Sequence, residues 1–503
     1  MHIRKKKNRS GSTSVVVVDK SNGNYKELVS IGTCSNEADI KFLCEKAHQW
    51  IIDYTHSLVL DFDNKKQQTE AFINQIDQVL INGSQLLLNK IFDKVGFGAI
   101  KDEVFRHLVI SRLSFPGSKR ATAAYLKDYF NEDVDLNQIY RYMDKLQSKY
   151  QSQIQKISVE HTIQILGNAI GIVFYDVTTL YFESGEEDDL RICGFSKDGK
   201  HQNPQVVLGL LVSAGGYPLA YQIFEGNTFE GHTMLQVIDS FAKQYDIAGA
   251  IVVADAGLMS SKNIAELEKK KYKYIIGAKI KNESADIKKW ILSQTLEDGQ
   301  FSELKKEDNC RLIIGYSIKR AMKDFDNRQK GIKRLEKLNK SGKLTKSSIN
   351  KRGYNKYLTL SGKIDVAINY ELFETDKRWD GLKGYRTNTT LNAFEVHENY
   401  SNLWRIENAF RVSKSTIEIR PMFHFTTKRI QAHVCICFAA YKVYKELERL
   451  LCINNAGISP ETAINIAKTI CTIKVKVPDS TEVIEKVLLL TSKQKSLAKI
   501  FDI

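Results

Sequence analysis

Residues 171–182 read GIVFYDVTTLYF, an almost wholly apolar run that holds a single charge, Asp176. Its β-branched and aromatic residues predict a buried strand. A carboxylate inside such a strand is costly unless it is paired or bound to a cation. A lone buried Asp can also be a structural hydrogen-bonding group, so this residue alone leaves both readings open. Residues 250–257, AIVVADAG, repeat the arrangement: a short apolar strand ends on Asp255 and is followed by Ala256-Gly257. Ligand sites in α/β sheets cluster at the carboxyl ends of strands. Two carboxylates on core strands of one sheet can share a hard cation such as magnesium, which takes oxygen ligands.

The surrounding sequence supports a sheet. PQVVLGLLVSA (204–214) and YPLAYQIFE (217–225) read as strands joined by the turn Gly215-Gly216. GHTMLQVIDSFAKQY (231–245) and SSKNIAELEKKK (260–271) read as helices, and YKYIIGAK (272–279) as a further strand. The order β-β-β-α-β-α-β predicts an α/β fold, one mixed sheet flanked by helices.

On either side the pattern changes. Residues 13–32 read as a hairpin turning at Asn22-Gly23. From about 38 to 165 the period is helical. A basic turn, Pro116-Gly117-Ser118-Lys119-Arg120, lies within it. Helix starts and cations both attract phosphate, so Lys119 and Arg120 are candidate DNA contacts; a helical bundle with a solvated loop reads equally well. Residues 281–385 are polar and irregular, with strands expected near Leu312–Ile318 and Ile364–Tyr370. Between Lys319 and Lys356 stand 14 Lys/Arg against 3 Asp/Glu. Such blocks are solvated faces or phosphate-contacting arms. A long helical stretch is expected at 398–448, and Ser459-Pro460-Glu461 marks a later helix start.

A chain of 503 residues is long enough for two to four domains. Its 74 Lys/Arg against 59 Asp/Glu favour an acidic partner such as nucleic acid or a membrane surface. The eight cysteines contain no CxxC pair, which argues against structural zinc and fits a reducing cytoplasm. No apolar run of membrane-spanning length occurs, so the expectation is a soluble, cytoplasmic protein with no membrane partner.

A third carboxylate comes from a helical segment. At about 100° per residue, Tyr400, Glu407, Arg411 and Lys414 fall on one stripe roughly 60° wide. Leu403, Ile406 and Phe410 border that stripe, which places Glu407 at the edge of a core. A surface stripe with a Glu407–Arg411 pair would look the same.

Here the residues resemble a known family. Tyr400, Glu407 and Lys414 match the Y-x2-R-x3-E-x6-K signature of one branch of the DDE transposases of bacterial insertion sequences. Leu403 stands where that signature has Arg; Arg405 and Arg411 are the neighbouring candidates for its role. FYDVTT (174–179) and VADAG (253–257) resemble the family's two Asp motifs, and residues 194–231 and 404–440 are also similar to it.

The resemblance implies a ribonuclease H-like catalytic domain interrupted by an insertion before the Glu helix. Residues 1–37 would be a hairpin and 38–165 a helical DNA-binding domain. Residues 166–280 and 391–450 would form the two parts of the catalytic domain around a basic insertion at 281–390, with a C-terminal segment at 451–503. Asp176, Asp255 and Glu407 would be the catalytic and metal-binding residues, holding Mg²⁺, with Mn²⁺ able to replace it. Tyr400, Arg405, Arg411, Lys414 and Lys197 would contact DNA; His201, near Lys197, reads equally as a solvated loop residue. The partners implied are double-stranded DNA, namely terminal inverted repeats and target DNA, and a second copy of the chain in the DNA complex. A nuclease that cannot transfer strands, or an inactive transposase-derived DNA-binding protein, would share these features. His424 and His433 read best as structural histidines.

Overall fold

The computed structural model describes residues 1–21, 23–55, 69–167, 170–183, 185–196, 199–245, 249–258, 261–306, 310–350, 353–361, 365–477 and 480–503. They form two compact units, Met1–Gln78 with Lys474–Glu485, and Val79–Ile473 with Lys486–Ile503.

In the first unit β1 (His2–Lys7), β2 (Thr13–Asp19) and β3 (Lys26–Cys34) form an antiparallel sheet in that order. Val15 and Val17 alternate onto the face covered by α1 (Glu37–Thr55), where they meet Ala47, Leu43 and Trp50. The expected hairpin is thus β2–β3; of its turn, Asn22 lies outside the described residues. Strand β4 (Ile76–Leu80) lies where the chain passes to the second unit.

The second unit begins with four helices: α2 (Gly83–Val95), α3 (Glu103–Ser114), α4 (Lys119–Phe130) and α5 (Leu136–Leu166). Asp102, Ser118 and Asp135 cap the last three through side-chain oxygens, and Gly167 ends α5 in the left-handed region that glycine enters without strain.

The sheet then forms. Its strands in chain order are β5 (Ile172–Tyr181), β6 (Gln205–Ser213), β7 (Pro218–Glu225), β8 (Ile251–Ala254), β9 (Lys273–Ala278), β10 (Phe301–Lys305) and β11 (Arg311–Tyr316). Helix α6 (Met234–Gln244) precedes β8, α7 (Ser261–Lys269) precedes β9, and α8 (Ala285–Ser293) precedes β10. After β11 come α9 (Ile318–Lys340), the hairpin β12 (Leu358–Ser361) and β13 (Asp365–Ile368), and α10 (Tyr370–Asp376) around a small core of Ile332, Leu335, Tyr357, Leu358 and Phe373. Strand β14 (Leu382–Thr387) returns to the main sheet.

Among the described residues that sheet has eight strands in the order β10-β11-β14-β9-β8-β5-β6-β7. Strands β5, β8 and β9 are parallel, and the remaining neighbours are antiparallel. Strands drawn from the polar region 281–385 therefore extend the same sheet, through Gly384 opposite Ala278.

Alternation along β5 divides the core. Val173, Tyr175 and Val177 face α6 and α7, while Phe174 faces the helices that follow β14. Those are α11 (Ala393–Ser401), α12 (Trp404–Ser415) and α13 (Thr427–Ile453), the last largely buried through VCICFAAY. The chain closes with α14 (Pro460–Ala467), β15 (Cys471–Lys476), β16 (Val483–Leu488) and α15 (Ser492–Phe501).

The single helical stretch expected at 398–448 is three helices. Ile417, Ile419 and Met422 stay buried in the connection before α13, so the apolar pattern continues while the helix does not. Glu418 there has φ 52, and Pro421 has no amide to donate. No helix among the described residues is long and apolar enough to cross a membrane.

Candidate active site

The parallel pairing of β5 with β8 runs from Ile172–Ile251 to Tyr175–Ala254. Asp176 and Asp255 are the next residue on each strand, so they stand side by side where β8 ends. Asp176 continues into the antiparallel ladder opposite Leu210, half-buried between buried Tyr175 and Val177. It shares the sheet face of Phe174, the face on which α12 packs. Glu407 lies in the first turn of α12 and is exposed, beside the core residues Ile406, Ala409 and Phe410. All three carboxylates thus belong to one side of the sheet.

Tyr400 reaches the same place from α11. Its hydroxyl donates to Asp255 Oδ1 at 2.8 Å. Burial, then the Asp255 charge and this bond, raise the phenol well above its ordinary range and keep it protonated. Gly277 on β9 makes room for it: a Cβ there would fall on the Tyr400 hydroxyl. The helical stripe put Tyr400 and Glu407 on one helix. They sit instead on consecutive helices, separated by the turn at Asn402-Leu403.

Lys383 of β14 completes this group and had no signal in the sequence. Its ammonium lies over the Tyr400 ring, 4.4 Å from the centroid. Burial, then Arg320, lower its pKa, while the charges of Asp255 and Glu407 pull it back up. One cation therefore feels both carboxylates. Asp255, Tyr400 and Lys383 line a cleft of about 680 Å³, together with Lys279 and Arg320.

A second cleft, of about 410 Å³, gathers Arg411 and Lys414 with Lys200, Arg420 and Tyr181. Lys200 and Arg420 lie 5.3 and 5.6 Å from the Tyr181 ring centroid. Lys200 and Arg420 were not foreseen as site residues, although each lies in a stretch similar to the family. Arg405 is elsewhere: its Nε donates to Asn402 Oδ1 at 3.2 Å and its guanidinium covers Trp404. Leu403, at the signature Arg position, packs against the main core. Lys197 lies outside the described residues. His201 accepts the Ser196 amide at its Nδ1, which makes it a loop tie. Lys119 and Arg120 open α4, the first buried and the second exposed.

Among the described residues no group of three His, Cys, Asp or Glu side chains is placed to hold a metal ion. The donor chemistry nevertheless suits one. Asp176 and Asp255 offer hard oxygens from adjacent strands, and magnesium is commonly held by one or two carboxylates plus substrate phosphates.

No curated protein sequence is detectably similar to the chain. Solved structures include a cryo-EM structure of the piggyBac transposase synaptic complex with hairpin DNA, at 8% identity and TM-score 0.40 over 76% of each chain. The Mos1 transposase paired-end complex with the left transposon end is 11% identical, covers 34% of this chain and 58% of that one, and has a TM-score of 0.16. Residues 168–442, which run from β5 into α13 and carry all three carboxylates, match the family model of the transposase DDE domain, and the chain belongs to that family.

Proposed function

We propose that the chain is the transposase of an insertion sequence, which cleaves DNA at the element's ends and joins them to target DNA. The observation that carries this reading is the β5–β8 register, which ends at Tyr175–Ala254 and brings Asp176 and Asp255, the next residues, together on the sheet face covered by the Glu407 helix. The strand order β7-β6-β5-β8-β9, with β5, β8 and β9 parallel, is what a ribonuclease H-like core requires and supports that assignment.

Asp176, Asp255 and Glu407 would hold divalent magnesium, with manganese as a substitute. When bound, such ions stabilise the attacking and leaving oxygens of an in-line phosphoryl displacement. The chemistry needs no covalent enzyme intermediate. Water adds to phosphorus at the element boundary, and the 3′ oxygen leaves and takes up a proton. The freed 3′-hydroxyl then adds to a target phosphodiester and releases a second 3′-hydroxyl.

The chain's own groups serve binding and orientation. Tyr400 fixes the Asp255 carboxylate through its hydrogen bond. Lys383 balances the negative charge between Asp255 and Glu407. Arg411 and Lys414, in their basic cleft, hold DNA phosphates, with Lys119, Arg120 and Lys197 as further contacts, while Arg405 stays on Asn402 and Trp404. The DNA complex contains two copies of the chain, one for each terminal inverted repeat, and forms in the cytoplasm.

The test is cleavage of a duplex carrying the inverted repeats that flank the gene. Asp176→Ala, Asp255→Ala and Glu407→Ala are each expected to abolish cleavage while leaving DNA binding in place. Full cleavage by any one of them would remove that residue from the site.

A further inference from the structure

Away from the carboxylates, the helical layer of the second unit encloses a polar cavity of about 170 Å³ at the start of α4. Its wall is dominated by basic groups. Arg112 from the end of α3, Lys119 from the first turn of α4, Arg420, His424 and His433 all line it. Glu418, exposed, is the only acid among the described residues that do so.

Two of these cations are buried, Lys119 at 4% and Arg112 at 7% exposure. Arg112 donates to His433 Nδ1 at 3.3 Å. A guanidinium can only donate, so Nδ1 accepts and the ring proton sits on Nε2. That proton goes to the Ile419 carbonyl at 3.2 Å. His433 is therefore neutral and contributes no counter-charge. Lys119 forms no side-chain hydrogen bond or ion pair with any described residue. Burial, then Arg112, pull its ammonium down to about 7.

Two buried cations without an anion are costly. The cavity also opens at a helix start, where first-turn amides and the helix dipole favour negative charge. Ser118 caps only the Ala121 amide there through its side chain. The space suits a small oxyanion with water, each water taking about 30 Å³. Exposed Arg120 and Phe423 flank the cavity on the solvent side.

We propose that this cavity is a phosphate-binding subsite, with Arg112, Lys119 and the start of α4 as its donors. The reading of the chain as a DNA-handling enzyme bears only on the source of the phosphate: a duplex backbone, or free phosphate.

The experiment uses the full chain and Lys119→Met. Thermal unfolding is followed in chloride and in inorganic phosphate at matched ionic strength. Binding of a duplex is followed by fluorescence anisotropy against salt. In chloride, Lys119→Met is expected to melt higher than the wild type, because an unpaired buried cation is gone. Phosphate should raise the wild-type midpoint saturably and leave the variant unmoved. A linear rise shared by both proteins is the general effect of an excluded salt and overturns the proposal. If the backbone is the source, the slope of log K against log salt becomes shallower by about one in the variant. An unchanged slope beside the phosphate response assigns the subsite to free phosphate. Should the variant not fold, an unsaturable wild-type response is enough to reject the site. None of these readouts needs cleavage, so failure here and failure of the carboxylate assignment are separable.

Discussion

The hydroxyl of Tyr400 donates a 2.8 Å hydrogen bond to Oδ1 of Asp255, tying the end of α11 to the end of β8. The bond crosses 145 residues of chain. It limits the carboxylate's rotation, and the phenol that donates it stays protonated.

Tyr400→Phe keeps the ring and removes only this bond. Single-turnover cleavage is expected to slow about 10-fold, which corresponds to ~1.4 kcal/mol of barrier. DNA affinity should hold. An unaltered cleavage rate would separate Tyr400 from the chemistry.

Gly277→Ala tests the same contact from below. The new methyl meets the Tyr400 hydroxyl and lies 3.2 Å from Ala256 Cβ. Overpacking of this kind costs about 1–3 kcal/mol, read as a lowered urea midpoint. Adding Tyr400→Phe should restore part of the loss. Additive losses in the double variant would count against this account.

Salt dependence distinguishes the three arginine and lysine candidates on the Glu helix. Arg411→Ala and Lys414→Ala should each make the slope of log K against log salt shallower by about one, and weaken all duplexes alike. Arg405→Ala should leave the slope unchanged, because its guanidinium is held on Trp404 and Asn402. The reverse pattern would make Arg405 the substitute for the missing signature Arg.

Acid should destabilise the second unit. Burial, then nearby cations, push His161 and His424 each down to about 3 in the folded protein. The unfolded chain takes up these protons first, near the ordinary imidazole value of about 6.5. Their contribution is fully present above that value and is lost as pH falls from there towards 3, by about 1.4 kcal/mol per pH unit per histidine. His424→Gln should flatten the slope of stability against pH in this window by one proton. An unchanged slope would show that His424 titrates normally in the fold.

The legible parts of the site were those with an energetic reason to stand out locally. Asp176 and Asp255 were visible because a charge in an apolar strand needs an explanation. Glu407 was placed by motif spacing, and its position beside Ile406 and Phe410 agreed with the apolar stripe. Lys383 was invisible because its role arises from the pairing of β14 with β9, over 100 residues apart in sequence. Strand β11 was expected near Leu312–Ile318, whereas β10, at the edge of the sheet, and β14 carry mixed polar patterns and read as parts of an irregular region. The turn at Asn402-Leu403 has neither Pro nor Gly to announce it, while Pro421 was a stop signal hidden by the buried residues around it.

Helix α9 follows β11 after one residue, and its Ile318 amide donates to Asp298 Oδ1 at 2.8 Å. Midway along it, Arg328 is tied to Asp380, just ahead of β14. The helical part of the basic block is therefore a strut rooted in the main sheet rather than a tether. Its 23 residues make a rod about 34 Å long, close to one turn of duplex DNA. Lys319, Lys323, Lys330, Lys333, Arg334, Lys337 and Lys340 are exposed along it. Under the proposed function, a rod of that length would work as a gauge, meeting phosphates one helical turn apart at a spacing set by the protein rather than by the DNA.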